Sequence, residues 1–153
     1  MYKLLNICYN YISYFMEVPM NRSELRNIII KVLYQVYIYE SKKIPYDLDN
    51  LIKEQLEITN NFVNDTLKGI LKNQKEIEQK ANKYMKDWTI DRISLVDKAI
   101  LSLGIYELLY TETPDIVSIN EAVELSKKYS DEKVTKMINA VLDNIMNKEK
   151  NYE

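Results

Sequence analysis

The stretch Pro114-Asp-Ile-Val-Ser-Ile-Asn-Glu-Ala-Val-Glu-Leu-Ser-Lys-Lys-Tyr129, followed shortly by Lys136-Met-Ile-Asn-Ala-Val-Leu-Asp143, decides the fold. Pro114 has no N–H and biases its neighbour away from helical angles, so it closes whatever helix precedes it. Ser118 and Glu121 have the spacing of a capping box, in which each side chain satisfies a free donor at a helix start. Ile119, Ala122, Val123 and Ser126 then share one helical face at i, i+3, i+4, i+7. Val134, Met137, Ile138, Val141, Leu142 and Ile145 form a second and cleaner stripe. Two amphipathic helices joined by a short polar turn are expected. Asn120 and Asn139 fall beside these stripes, where their amides are expected to bond neighbouring helices or backbone as architectural residues.

The bulk composition agrees with a helical reading. The chain has 153 residues, enough for one domain with a proper core, and is 46% hydrophobic and 29% charged. Only two glycines and three prolines occur, which argues against a turn-rich β protein. Apolar–polar alternation is scarce as well, so the expected class is all-α.

Charge and rare residues narrow the chemistry. A net charge of −2 supplies no global field for nucleic acid, so any such contact must come from a local patch. The single cysteine, Cys8, excludes an internal disulfide and suits a reducing, cytoplasmic compartment. Histidine is absent, which removes histidine acid–base catalysis, the common nucleophile pairs and most zinc sites. No metal and no cofactor is expected, and enzyme activity is disfavoured.

Residues 1–20 differ from the rest, with four of the thirteen tyrosines and one of the two phenylalanines. Asn6 and Asn10 interrupt the apolar run and no small-residue cleavage site follows, against a signal peptide. The segment is also too short and too polar to span a bilayer. It is read as an extension outside the domain, with Met20 the expected true start. A helix capped by Asn21 and Glu24 begins immediately afterwards, with Leu25, Ile29, Leu33 and Val36 on one side, running to about Glu40.

A linker at Ser41–Tyr46 leads to a short helix from about Leu48 to Ile58. Another helix starts at Thr59-Asn-Asn, and a more polar one with Ile77, Ala81 and Tyr84 leads to Trp88. From Asp91 to about Tyr110 runs the most apolar helix, which is apolar all round and therefore central. Glu107 lies on its main apolar face, where a bare carboxylate is costly. A partner is expected, such as a helix N-terminus or Arg92, and the role is a buried anchor. Gly104, in mid-helix, is explained by close packing of a neighbouring helix.

Several strings together closely resemble the NusB family: Trp88-x3-Arg92-Ile93, Val96-Asp97-Lys98-Ala99-Ile100-Leu101, Tyr106-Glu107-Leu108, Pro114-x2-Val117-x-Ile119-Asn-Glu-Ala-Val-Glu-Leu125 and Ile138-Asn-Ala-Val-Leu-Asp143. Each string alone is weak; their combination and separation are specific, and the likeness runs from about Met20 to Asn147. The resemblance implies an all-helical domain of about seven helices in two small packed bundles, at 21–86 and 87–149, with 150–153 a tail. It implies a transcription antitermination factor that binds boxA-type single-stranded RNA of ribosomal RNA operons together with NusE, a ribosomal small-subunit protein. That heterodimer would join RNA polymerase and other Nus factors.

The family's RNA contacts centre on an arginine-rich start to the first helix, and this chain keeps Arg22 and Arg26 there. Four residues apart, both are expected to project from one side of the first turns, where guanidinium forks grip phosphates or stack on bases. Ser23 and Glu24 stand where some members have further arginines. A second RNA-facing zone, near the start of the last helix, offers Lys133 and Lys136. Ser126, Met137, Ala140 and Ser102 depart from residues more usual in the family. Two other readings compete with the RNA-binding adaptor. One is a protein-interaction module with weakened or lost RNA binding. The other is the leading domain of an RNA cytosine methyltransferase, disfavoured because such enzymes need a large following domain and catalytic cysteines.

Overall fold

The computed structural model describes residues 20–150. The expectations about residues 1–19 and the last three residues lie outside them. Seven α-helices follow one another: α1 Arg22–Ser41, α2 Leu48–Gln55, α3 Asn61–Lys72, α4 Gln74–Tyr84, α5 Leu95–Tyr110, α6 Asp115–Tyr129 and α7 Glu132–Ile145. A short 3-10 turn, Ile90–Arg92, precedes α5, and α7 runs on into a π turn, Met146–Lys150. No strand occurs among the described residues, as the all-α expectation required.

Local chemistry starts three of these helices where the sequence predicts. Asn21 accepts from the Glu24 N–H at 2.9 Å and Glu24 accepts from the Asn21 N–H at 3.0 Å, so the expected capping box closes α1. Asp47 and Asn60 cap α2 and α3 by their own side-chain oxygens, without a reciprocal bond. α2 stops at Gln55, short of the expected Ile58, because Leu56 is extended and Ile58 points into solvent. The central helix begins at Leu95 rather than Asp91, because the Ser94 hydroxyl accepts from the Asp97 N–H and sets the cap there.

The capping box expected at Ser118 and Glu121 does not form. α6 starts at Asp115, with Pro114 at the cap position and φ −55°, an angle already suited to a helix start. Ser118 is therefore one turn inside the helix and buried, its hydroxyl directed to the Pro114 carbonyl at 3.4 Å. Glu121 is left for another task, described below.

α5 is the hub, as its all-round apolarity predicts, and it packs against α1, α3, α4, α6 and α7. Ile100, Leu101, Leu103, Ile105 and Leu108 are almost wholly buried in one core shared with Ile29, Leu33, Leu67 and Ile70 from α1 and α3 and with Ile138 and Leu142 from α7. At Gly104 both α6 and α7 approach the hub closely. A Cβ there would lie 2.9 Å from Leu142 Cδ1 and 3.3 Å from Ala122 Cβ, which confirms the close-packing reading. Gly69 on α3 is tighter still, since a Cβ would meet the Tyr106 hydroxyl at 2.1 Å.

Buried polar pairs fix the layers. Ser126 and Thr135 share a hydrogen bond at 2.8 Å across α6 and α7. Tyr37, on α1, has its hydroxyl 2.8 Å from Gln74 Oε1 and 3.2 Å from Ser102 Oγ. Burial pushes that phenol well above its usual range, so it stays a donor in the core. At the far end, Glu149 in the π turn accepts from Lys80 at 2.8 Å, Lys83 at 2.9 Å and Tyr84 at 2.6 Å. This clamp ties the end of the last helix to α4.

Candidate nucleic-acid interface

Of the two arginines, only Arg22 reaches the surface. It is exposed on the first turn of α1, with its guanidinium 4.1 Å from the centre of the Phe62 ring on α3. Stacking on an aromatic face holds a guanidinium in place while leaving its N–H edges free to donate. Ser23 beside it is exposed and donates to Glu121 at 2.7 Å.

Arg26 corrects the expectation that both arginines project outward. It is 3% exposed, with Nε 3.0 Å from both Glu107 carboxylate oxygens and a terminal nitrogen 3.0 Å from Oε1. Its other terminal nitrogen lies 3.8 Å from Glu121. Glu107 thus has the partner that its apolar surroundings demand, but that partner is Arg26 and not Arg92, which is exposed. Burial pushes the Glu107 carboxyl above the usual carboxylate range. The Arg26 charge opposes the shift in part, and Glu121 adds to it. Removing one member of such a buried pair costs about 3–5 kcal/mol, because the other charge is left uncompensated.

These residues border a cleft of about 880 Å³ where α1, the start of α3 and the α5–α6 connection meet. Arg22, Phe62, Tyr106 and Thr113 line it together with three carboxylates, Asp65, Glu112 and Glu121. A phosphate entering the cleft would meet one free guanidinium among several acids. The positive field is local and thin, as the overall charge implies.

The second zone sits at the other end of the hub. Ser130, just before α7, donates to Asp97 near the start of α5, whereas Arg26 meets Glu107 in the last turn. The two carboxylates are ten residues apart on one helix, about 15 Å along its axis. Lys133 and Lys136 are both exposed. Lys133 lies 5.2 Å over the Trp88 ring, and Lys136 pairs with Glu132 at 3.1 Å one turn away. Asn120 and Asn139 are also exposed, and Asn139 reaches only Asp143 on its own helix at 3.5 Å. The expectation that these amides bond neighbouring helices or backbone is therefore corrected. Each lies one position off its apolar stripe, and that step is enough to turn it outward.

The sequence reading missed the bridge between the two zones. Lys128 and Tyr129, at the end of α6, both donate to Asn27 on α1. Lys127-Lys128 reads from sequence as the usual complement to a helix C-terminus, so nothing local marks the contact with α1.

A seven-helix scaffold with one exposed arginine stacked on an aromatic ring and separate lysines defines an all-α domain with a small, split basic face. The NusB family model matches residues 23–147, and the chain belongs to the NusB family. The transcription antitermination protein NusB of Methylacidiphilum infernorum (isolate V4) is 40% identical over 133 residues, covering 82% of this chain and 90% of that protein. Among solved structures, T. maritima NusB superposes with a TM-score of 0.72 at 30% identity, over 84% of this chain and 92% of the other. A chain in the crystal structure of antitermination factors NusB and NusE in complex with dsRNA gives a TM-score of 0.68 at 27% identity, over 82% and 96% of the two chains.

Proposed function

We propose that this chain is a cytoplasmic, non-enzymatic RNA-binding transcription antitermination factor that works with a NusE partner. On this reading it binds boxA-type single-stranded RNA of ribosomal RNA operons and joins RNA polymerase and other Nus factors through the complex. Family membership across almost the whole described domain carries the reading. The family relative solved with NusE and dsRNA supports NusE and an RNA as partners. The exposed Arg22 on Phe62 and the exposed Lys133 and Lys136 supply basic groups of the kind RNA phosphates require. Among the described residues, no helix is long and apolar enough to cross a membrane.

A pull-down with NusE, with and without boxA RNA, tests this directly. NusE should be retained in both conditions, and RNA should be retained more fully when NusE is present. Failure to retain NusE in either condition would sink the reading. One observation favours a second reading, a protein-interaction module with weakened or lost RNA binding: Arg26 is withdrawn into the core and acids line the cleft. Retention of NusE with no RNA bound would select it.

A further inference from the structure

We propose that Arg26 is a positioning residue for the RNA face: it holds Arg22 in place through Phe62 and touches no RNA itself. The inference rests on the RNA-binding reading above.

The geometry sets the two arginines in series. Phe62 has Arg22 at 4.1 Å and Arg26 at 5.5 Å from its ring centre, so both guanidinium groups use one aromatic side chain. Two like charges this close repel unless carboxylates stand beside them. Glu107 and Glu121 do so, and both approach Arg26 rather than the outer residue. Arg26 is thereby fixed, and the Phe62 ring it lies over is held with it. Arg22, one turn earlier on the same helix, sits closer over the same ring and is exposed to solvent.

Glu121 extends the arrangement to Ser23, which donates to the carboxylate that approaches Arg26. The start of α1 is therefore registered against both α5 and α6. To reach a phosphate directly, Arg26 would have to abandon Glu107 in the core without a partner. The buried arginine acts by holding its exposed neighbour.

Salt dependence of RNA binding separates positioning from contact. The probe is a labelled single-stranded boxA oligonucleotide, titrated at several salt concentrations with the full chain in complex with NusE. The variants are Arg22→Gln, Arg26→Gln and the two combined. Loss of one phosphate contact on a single strand should lower the log K against log salt slope by about 0.7. Arg22→Gln should show that loss, and Arg26→Gln alone should weaken binding about tenfold, as coupled neighbours do.

The combined variant decides the matter. Positioning requires its slope to match that of Arg22→Gln alone, since only one contact exists to lose. A combined loss of about 1.4 means two independent contacts and overturns the proposal. Wild-type affinity in Arg26→Gln overturns it as well. If Arg26→Gln does not fold, the double variant Arg26→Met with Glu107→Leu replaces the buried pair by apolar groups and is read by the same criteria, with and without Arg22→Gln. No salt-dependent binding by the wild-type complex would refute the RNA-binding reading, and the positioning role would fall with it. Additive slopes would overturn the positioning role alone.

Discussion

The two ends of α5 each bury a carboxylate that grips the start of another helix, and they do so with different chemistry. Asp97, in the first turn, takes hydroxyl donors from Ser94 and Ser130 and thereby ties down the approach to α7. Glu107, in the last turn, takes the fork of Arg26 and ties down the first turns of α1. The helix dipole explains the difference. A negative charge is favoured at the N-terminal end and opposed at the C-terminal end. Asp97 therefore needs only neutral donors, whereas Glu107 needs a full positive charge. This need takes Arg26 out of the set of residues free for RNA and leaves the arginine end with Arg22. At the α7 end, where hydroxyls suffice, both lysines remain outside.

Substitutions at the two ends should differ in size accordingly. Glu107→Ala leaves Arg26 buried and unpaired and should destabilise the domain by about 3–5 kcal/mol, read from urea unfolding. A loss below 1 kcal/mol would mean that Arg26 simply turns out to solvent. Ser94→Ala removes a helix cap and one of the Asp97 donors, and should cost about 1 kcal/mol in the same assay. A cost equal to that of Glu107→Ala would erase the contrast between the ends. Lys136→Ala breaks an exposed pair with Glu132 and should change stability by only about 0.3–0.5 kcal/mol.

The clamp at Glu149 offers a pH test away from both ends. Hydrogen bonds from Lys80, Tyr84 and Lys83 hold its carboxyl down from 4.5 to about 2. A carboxylate with a depressed folded-state pKa binds its proton more readily in the unfolded chain. Its contribution is therefore fully present above pH 4.5 and is lost as pH falls toward 2. Denaturation midpoints across that window should fall less steeply in Glu149→Gln than in the wild type. Parallel curves would show that the clamp adds nothing to folding.

What could be read from the sequence was mostly local. The Asn21–Glu24 box, the apolar hub and the packing role of Gly104 all follow from neighbours within a turn or two, or from periodicity. The need of Glu107 for a partner also follows from its place on an apolar face. The identity of that partner does not, because Arg26 lies 81 residues away and its spacing from Arg22 suggests a surface pair. Ser118 and Glu121 misled for the same reason. Their spacing fits a cap, but Pro114 starts α6 earlier, and Glu121 finds Ser23 from 98 residues away. Gly69 had no signal either, since its constraint comes from Tyr106 on another helix. The candidate RNA face was legible as residue types near two helix starts; which of them are free was decided by pairing across the fold.

A basic face this thin should bind RNA weakly alone, with about three contacts giving a slope near −2 in log K against log salt. NusE would add contacts without adding charge to this chain. The most direct measurement is a salt-controlled titration of boxA RNA by the chain alone and by the chain with NusE. The account predicts tighter binding by the heterodimer at every salt concentration; equal affinities would contradict it.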